Sequence, residues 1–274
     1  VFASGPTGAV DTSTHQFTGV SNQNLKLFVV DLNAVPPLTL GRNYWVIDTG
    51  IENAFGGSMA GAGIDADRWN ASSDARIHGN YEDDALYVGY TRDASSGGGT
   101  GGVLRLFTKQ DPDPANWQAS RVIDDVGPVT GAVGKLQDRQ YKRLWLYFGA
   151  GRYFNNKDDL SAGRALYGVS EPCYTQVNTL TLGERGACAK DPLKPSDLTD
   201  VTDVARIVAV NDQDGSYKGW RISLDASAGN LASERVVDSP VSLTGGAVFF
   251  TTYQPSLDPC LDGASYLWGV HYST

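Results

Sequence analysis

Short apolar runs, and not the spacing of an amphipathic helix, dominate the hydrophobic pattern of this chain. The central run, Leu144 to Phe148, is apolar at every position. So short a run predicts a strand that is buried on both faces. Similar runs recur at residues 27–31, 86–89, 103–107, 165–169 and 266–270. We interpret them as one structural unit that is used several times.

Turn-forming residues separate these runs. The chain has 32 glycines, 13 tyrosines and 9 phenylalanines but only one methionine, a composition that favours strands and tight turns over helices. Short strands with regular turns are typical of a sandwich, a barrel or a propeller. Groups of two or three strands that repeat roughly every 40 to 60 residues favour propeller blades among these. The sequence therefore predicts an all-β fold.

The spacing of the runs predicts how the chain is divided. We expect residues 1–274 to form one β-propeller domain or a fragment of it, with blade-like units at about 20–50, 55–110, 119–170 and 205–274. Residues 171–204 are expected to form a loop insertion. Because both ends of the chain have strand-like sequence, we expect a processed or ordered piece of something longer. A partial propeller would leave sheet edges uncovered, so we expect it to need the rest of its own chain or another subunit.

The charge of the chain excludes some partners. The formal net charge is -9 and the pI about 4.7. So acidic a surface repels phosphate backbones and anionic lipid, and we therefore expect no nucleic-acid partner. No apolar run approaches the roughly 20 residues that a transmembrane helix needs, so no membrane-spanning segment is predicted.

One acidic region is a candidate calcium site. Asp65 and Asp67 are followed by a polar insert that reaches Asn80, and Asp84 precedes the next strand. Alternating acidic residues in a loop, closed by a carboxylate at the start of a strand, supply the oxygen ligands that calcium prefers. The spacing is looser than that of an Asp-x-Asp-x-Asp-Gly loop. A solvated acidic loop is the alternative interpretation.

The three cysteines suggest an oxidising compartment. Cys173 and Cys188 bracket a polar, glycine-containing loop that a disulfide would close. Closing a loop of about 15 residues would stabilise the fold by on the order of 3 kcal/mol. Cys260 is left unpaired in this chain. Buried free thiols are the alternative, but the surrounding Pro, Gly and Asp residues favour exposed loops.

Several motifs together resemble a known family. In chain order, the motifs are residues 145–153 with 166–169, 218–224, 235–237, 248–252 and 258–263. The earlier segments are similar to the preceding blades of the same domain: residues 27–31, 84–89 and 102–107. These motifs resemble the C-terminal domain of PilY-type type IV pilus tip and biogenesis proteins. The resemblance spans nearly the whole chain.

The resemblance implies a fold, a location and partners. The fold would be a quinoprotein-like β-propeller, here with only some of its blades. The protein would be exported through the periplasm to the pilus tip or the outer-membrane surface. There it would support pilus biogenesis, twitching motility and adhesion, and its partners would be minor pilins or a surface receptor. Several family members carry a calcium loop before a Tyr-Val-Gly-Asp strand, but here the strand reads Tyr87-Val-Gly-Tyr90.

The catalytic alternatives have weaker support in the sequence. Only three histidines are present, and none has zinc-type spacing. Three pairs could supply the two carboxylates of a hydrolase, but each has the polar, turn-like context of solvated aspartate: Asp124 with Asp125, Asp158 with Asp159, and Asp212 with Asp214. We therefore predict a binding protein and not an enzyme. A quinone-dependent propeller dehydrogenase and a structural subunit of an extracellular filament are the alternatives.

Overall fold

The fold is built from strands. A computed structural model of the chain describes all residues except 9, 67–81, 94–97, 109–110, 139, 156–157, 159, 175–190, 204–216 and 274. In the described residues there is no α-helix, and the helical elements are two 3₁₀ turns, Pro114–Asn116 and Pro195–Asp197. The all-β prediction is confirmed. No helix in this part of the chain has the length and apolar content needed to cross a bilayer.

The strands are short and follow one another closely. In chain order they are β1 (Phe2–Ala3), β2 (Val10–Asp11), β3 (Gln16–Phe17), β4 (Lys26–Val30), β5 (Tyr44–Asp48), β6 (Ala54–Gly56), β7 (Gly63–Ile64), β8 (Ala85–Arg92), β9 (Thr100–Phe107), β10 (Gln118–Ile123), β11 (Gly134–Asp138), β12 (Arg143–Gly149), β13 (Ala165–Ser170), β14 (Thr199–Asp200), β15 (Gly219–Ser223), β16 (Arg235–Val236), β17 (Val241–Ser242), β18 (Ala247–Gln254) and β19 (Ala264–His271).

Four main sheets succeed one another along the chain. The first has the strand order β1-β4-β5, and the second has β10-β9-β8-β6 with β7 also on β8. The third has β11-β12-β13-β15-β14, and the fourth has β16-β18-β17 with β19 also on β18. All pairings are antiparallel except that of β14 with β15. Strands β2 and β3 form a separate ribbon.

The sheet boundaries differ from the expected blade-like units at two places. Strand β10 lies in the expected third unit but pairs with β9 of the second sheet. Strand β15 lies in the expected fourth unit but pairs with β13 of the third sheet. In both cases the strand completes the sheet that precedes it. The expected loop insertion is interrupted by β14.

Strand β12 has a core on each of its faces, as the apolar run predicts. Leu144, Leu146 and Phe148 lie in a cluster with Tyr87 and Val103 of the second sheet. The alternate side chains Trp145 and Tyr147 lie in a second cluster with Trp220 of their own sheet and Phe250 of the fourth. Because successive side chains of a strand point to opposite faces, the third sheet is packed between its two neighbours.

The first and second sheets pack together in the same way. Leu25 and Leu27 share a cluster with Tyr90, Leu104 and Leu106, and all five are at most 1% exposed. Apolar cores therefore lie between each sheet and the next. The four main sheets are thus packed face to face in series through three apolar clusters.

Close approach between sheets depends on glycine at the end of β12. A Cβ atom added to Gly149 would lie 2.2 Å from Cγ2 of Val236 in the fourth sheet. That separation is far below van der Waals contact, and Val236 is itself buried. Any larger residue at this position would force the third and fourth sheets apart.

We expect Gly149→Ala to lower the free energy of unfolding by about 1–3 kcal/mol, the usual cost of overpacking a core. The matched control is Gly163→Ala, because Gly163 is exposed and an added Cβ would have nothing within 4 Å. The control is expected to change stability by less than about 0.5 kcal/mol. Urea denaturation followed by tryptophan fluorescence measures both variants, and equal stabilities would contradict the close approach.

Candidate functional site

The structure describes two of the four predicted calcium ligands. Asp84 is 6% exposed, and its Oδ2 accepts a hydrogen bond from the Ala66 amide at 2.6 Å. Its own amide donates to the Ile64 carbonyl at 2.8 Å. Asp84 therefore joins the two ends of the acidic segment, just before β8. Asp65 lies at the start of that segment, directly after β7.

The described residues alone do not supply a calcium site. Among them, no group of three or more His, Cys, Asp or Glu side chains is placed to hold a metal ion. Asp67 and Asn80 lie outside the described residues, so calcium binding by the four residues stays a prediction. One oxygen of Asp84 already has a protein donor, which gives this carboxylate a structural role of its own.

The cysteines differ in environment. Cys173 is 3% exposed and disulfide-bonded, whereas Cys260 is free and exposed. Cys188 lies outside the described residues, so its pairing with Cys173 stays a prediction. The amide of Cys173 donates to Oε1 of the buried Glu171 at 2.9 Å.

The adjacent carboxylates Asp124 and Asp125 lie in a network of ionic contacts. Asp124 accepts hydrogen bonds from the Tyr90 hydroxyl at 2.7 Å and from Arg121 at 2.5 Å. Arg92 lies 3.4 Å from Asp124 and 2.7 Å from Asp125. Burial raises the pKa of Asp124, but the hydrogen bonds from Tyr90 and from the Asp125 amide outweigh it and hold that pKa below its usual value. Asp124 thus links β8 to the end of β10 through its contacts with Tyr90, Arg92 and Arg121.

Asp158 also has a structural environment. Its carboxylate lies 2.6 Å from Arg152 and accepts the Phe154 amide at 2.6 Å, and both side chains of the ion pair are at most 2% exposed. Arg152 donates in addition to the Gly19 carbonyl at 2.6 Å. The contact joins the segment after β12 to the N-terminal part of the chain. Asp159, Asp212 and Asp214, the other members of the predicted carboxylate pairs, lie outside the described residues.

The candidate binding surface lies at the first sheet. Residues 31–43 connect β4 to β5, and we name them the first-hairpin loop. Four of its large apolar side chains are exposed: Leu32 (88%), Val35 (81%), Leu38 (44%) and Leu40 (61%). Single exposed apolar residues are common, but a cluster of them marks a surface that another molecule can cover.

A cleft beside this loop lies between the first sheet and the second. It has a volume of about 310 Å³, and we name it the tryptophan cleft. Its lining residues are Leu40, Gly41, Trp45, Val46, Ile47, Pro114, Ala115 and Trp117. The ring of Trp117 is fixed by a hydrogen bond from its Nε1 to the Asp111 carbonyl at 2.7 Å.

The sequence did not indicate the cleft, because its two walls come from distant segments. One wall is β5 and the loop before it, and the other is the 3₁₀ turn Pro114–Asn116 with Trp117. Asp113 holds this turn in place, because its Oδ1 accepts the Ala115 amide at 3.0 Å. The Asp-Pro-Asp-Pro sequence at residues 111–114 signals the turn but not what it faces.

Two curated proteins are similar to this chain in sequence. A type IV pilus biogenesis factor PilY1 homolog of Xylella fastidiosa is 28% identical over 173 residues, which cover 61% of this chain and 10% of that protein. The type IV pilus biogenesis factor PilY1 of Pseudomonas aeruginosa is 28% identical over 161 residues, or 52% of this chain and 14% of that protein. The predicted resemblance to PilY-type proteins is confirmed. No family model matches the chain.

A solved structure gives a further comparison. The crystal structure of the Pseudomonas aeruginosa PilY1 C-terminal domain aligns with a TM-score of 0.49 and 17% identity. The alignment covers 84% of this chain and 53% of that domain. The chain thus spans about half of the solved PilY1 domain, and 14% or less of the two curated relatives.

We expect Asp84→Ala to destabilise the fold in the absence of calcium, because the buried Ala66 amide would lose its acceptor. The expected loss is about 1–3 kcal/mol in the free energy of unfolding, measured in EDTA. Asp83→Ala is the control, because Asp83 is exposed and next in sequence. A loss that appears only when calcium is present would instead assign Asp84 to the metal alone.

Proposed function

We propose that this chain acts in type IV pilus biogenesis as a binding domain and not as an enzyme. The similarity to two proteins named type IV pilus biogenesis factors, each 28% identical over more than half of this chain, carries the proposal. On this proposal the protein acts at the pilus tip or at the outer-membrane surface. Its partners there are minor pilins, the rest of its own chain or a surface receptor.

The environments of the acidic residues support binding over catalysis. Asp124 and Asp158 are ion-paired with arginine and accept further hydrogen bonds. A hydrolytic mechanism would need one carboxylate that exchanges a proton with substrate, whereas the hydrogen bonds from Tyr90 and the Asp125 amide hold the pKa of Asp124 below its usual value. The sheets around these residues present a rigid framework with exposed apolar loops, an arrangement suited to contact with other proteins.

We expect the folded chain to capture minor pilins of its own organism from solution. The purified chain is immobilised, each minor pilin is passed over it, and bound pilin is measured by surface plasmon resonance. An unrelated soluble protein of similar size and charge serves as the control analyte and is expected to bind weakly.

The fold of the immobilised chain is checked in parallel by circular dichroism, which should show a β-rich spectrum. A folded chain that captures no minor pilin would contradict the proposed function. Capture by a denatured sample at the same level would contradict it as well, because the binding surface depends on the sheets.

A further inference from the structure

One edge of the first sheet has free backbone groups. The Asp31 amide donates to the Asn43 carbonyl at 2.9 Å, and the Thr49 amide donates to the Leu25 carbonyl at 3.1 Å. In antiparallel strands, hydrogen-bonded residue pairs alternate with pairs that are not hydrogen-bonded. The bonds at the two ends of the β4–β5 ladder therefore show which of the pairs between them are hydrogen-bonded. Val46 lies opposite Phe28 in a non-bonded pair, so its amide and carbonyl point away from β4.

The first-hairpin loop covers the Tyr44 end of this edge, because the Gly41 amide donates to the Tyr44 carbonyl at 2.8 Å. No strand of the described chain covers the edge at Val46 and Asp48. The first sheet ends at β5, which pairs on its opposite edge with β4. Val46 is 39% exposed, and Asp48, two residues on, directs its backbone to the same side. An edge of this kind pairs readily with an extended segment of another chain.

The tryptophan cleft adjoins the free edge. Val46 belongs to both, and Trp45 and Ile47 on either side of it also line the cleft. The volume of about 310 Å³ is at the small end of the range for ligand pockets, which begins near 300 Å³. The cleft therefore has room for one large side chain of a strand that pairs with β5.

Acidic residues flank the cleft. Asp48 follows the lining residue Ile47, and Asp113 precedes the lining residue Pro114. A hydrogen bond from the Gly50 amide, with a second from Asn24, lowers the pKa of Asp48, so its carboxylate is ionised at neutral pH. The described residues that line the cleft include no lysine or arginine. Lys26, opposite Asp48 on β4, partly offsets the charge of that carboxylate. The second carboxylate, Asp113, has no such neighbour in the lining, and together the two favour a cationic partner.

We propose that β5 and the tryptophan cleft bind an extended segment of a partner protein. The segment pairs with Val46 through its backbone, places an aromatic or large aliphatic side chain in the cleft, and directs a lysine or arginine towards Asp48 or Asp113. The identification of that partner as a pilus protein rests on the proposed function. The binding of the segment itself does not.

A synthetic peptide tests the proposal directly. It has a central phenylalanine with lysine and valine alternating on both sides, and it carries a fluorescent label for anisotropy measurements. We expect it to bind the purified chain with a Kd below about 1 mM. Three related peptides should each bind at least about tenfold more weakly: one with alanine for phenylalanine, one with glutamate for lysine, and one with N-methylated backbone amides.

Two protein variants locate the site. Val46→Pro removes the outward amide, which proline tolerates on an edge strand, and Val46→Thr keeps that amide as the matched control. Ala115→Trp fills the cleft from an exposed position. Val46→Pro and Ala115→Trp should each weaken peptide binding about tenfold or more, and Val46→Thr should leave it nearly unchanged.

Each other outcome overturns the proposal. No binding by the peptide, or binding that none of the variants changes, excludes this site. If the N-methylated peptide binds as well as the original, the peptide does not pair with β5 through its backbone. If an oligosaccharide binds and the peptide does not, the cleft is a carbohydrate-binding site. Self-association that Val46→Pro abolishes would assign the edge to a second copy.

The same variants separate this inference from the proposed function. Peptide binding without capture of minor pilins would leave the inference standing and contradict the pilus role. Capture of minor pilins that Val46→Pro and Ala115→Trp do not weaken would support the pilus role and contradict the identification of minor pilins as the partner that binds at this site.

Discussion

A buried ion pair joins the second and third sheets, and the rest of the arrangement depends on contacts of this type. Arg105 of β9 contacts Glu171, which directly follows β13, and the two side chains are at most 1% exposed. Arg105 also donates to the Ser120 hydroxyl at 2.9 Å, and Glu171 accepts the Cys173 amide at 2.9 Å. Burying two charges is costly, so the pair is tolerated only because each partner supplies the other with its counter-charge.

Two further buried arginines link the third sheet to other parts of the chain through backbone carbonyls. Arg152, in the segment between β12 and β13, reaches the Gly19 carbonyl near the start of the chain, and Arg235 of the fourth sheet donates to the Arg152 carbonyl at 3.1 Å. These long side chains cross the gaps between sheets where an apolar residue would leave backbone carbonyls without donors. Together with the apolar clusters they fix the sheets relative to one another, which leaves the loops and the free edge of β5 as the surfaces open to partners.

The sequence predicted the features that depend on local pattern. The run at Leu144 to Phe148 identifies a doubly buried strand, because every position is apolar. Glycine at the strand ends marks the close approach seen between Gly149 and Val236. Each of these follows from residues that are adjacent in the chain.

Features that depend on pairing between distant segments could not be predicted. Nothing local shows that Arg105 meets Glu171, or that β10 and β15 complete the preceding sheets and do not begin the next. The tryptophan cleft forms only when the turn after Asp113 packs against β5. The exposure of the leucines in the first-hairpin loop likewise depends on what the folded sheets leave uncovered.

A double-mutant cycle on the buried pair tests most directly whether ionic contacts hold the sheets together. Arg105→Met and Glu171→Leu should each lower the free energy of unfolding by about 3–5 kcal/mol, because each leaves a buried charge without its partner. The double variant should lose much less free energy of unfolding than the two single variants lose together, because no unpaired charge remains. Two small losses that simply add would contradict the account.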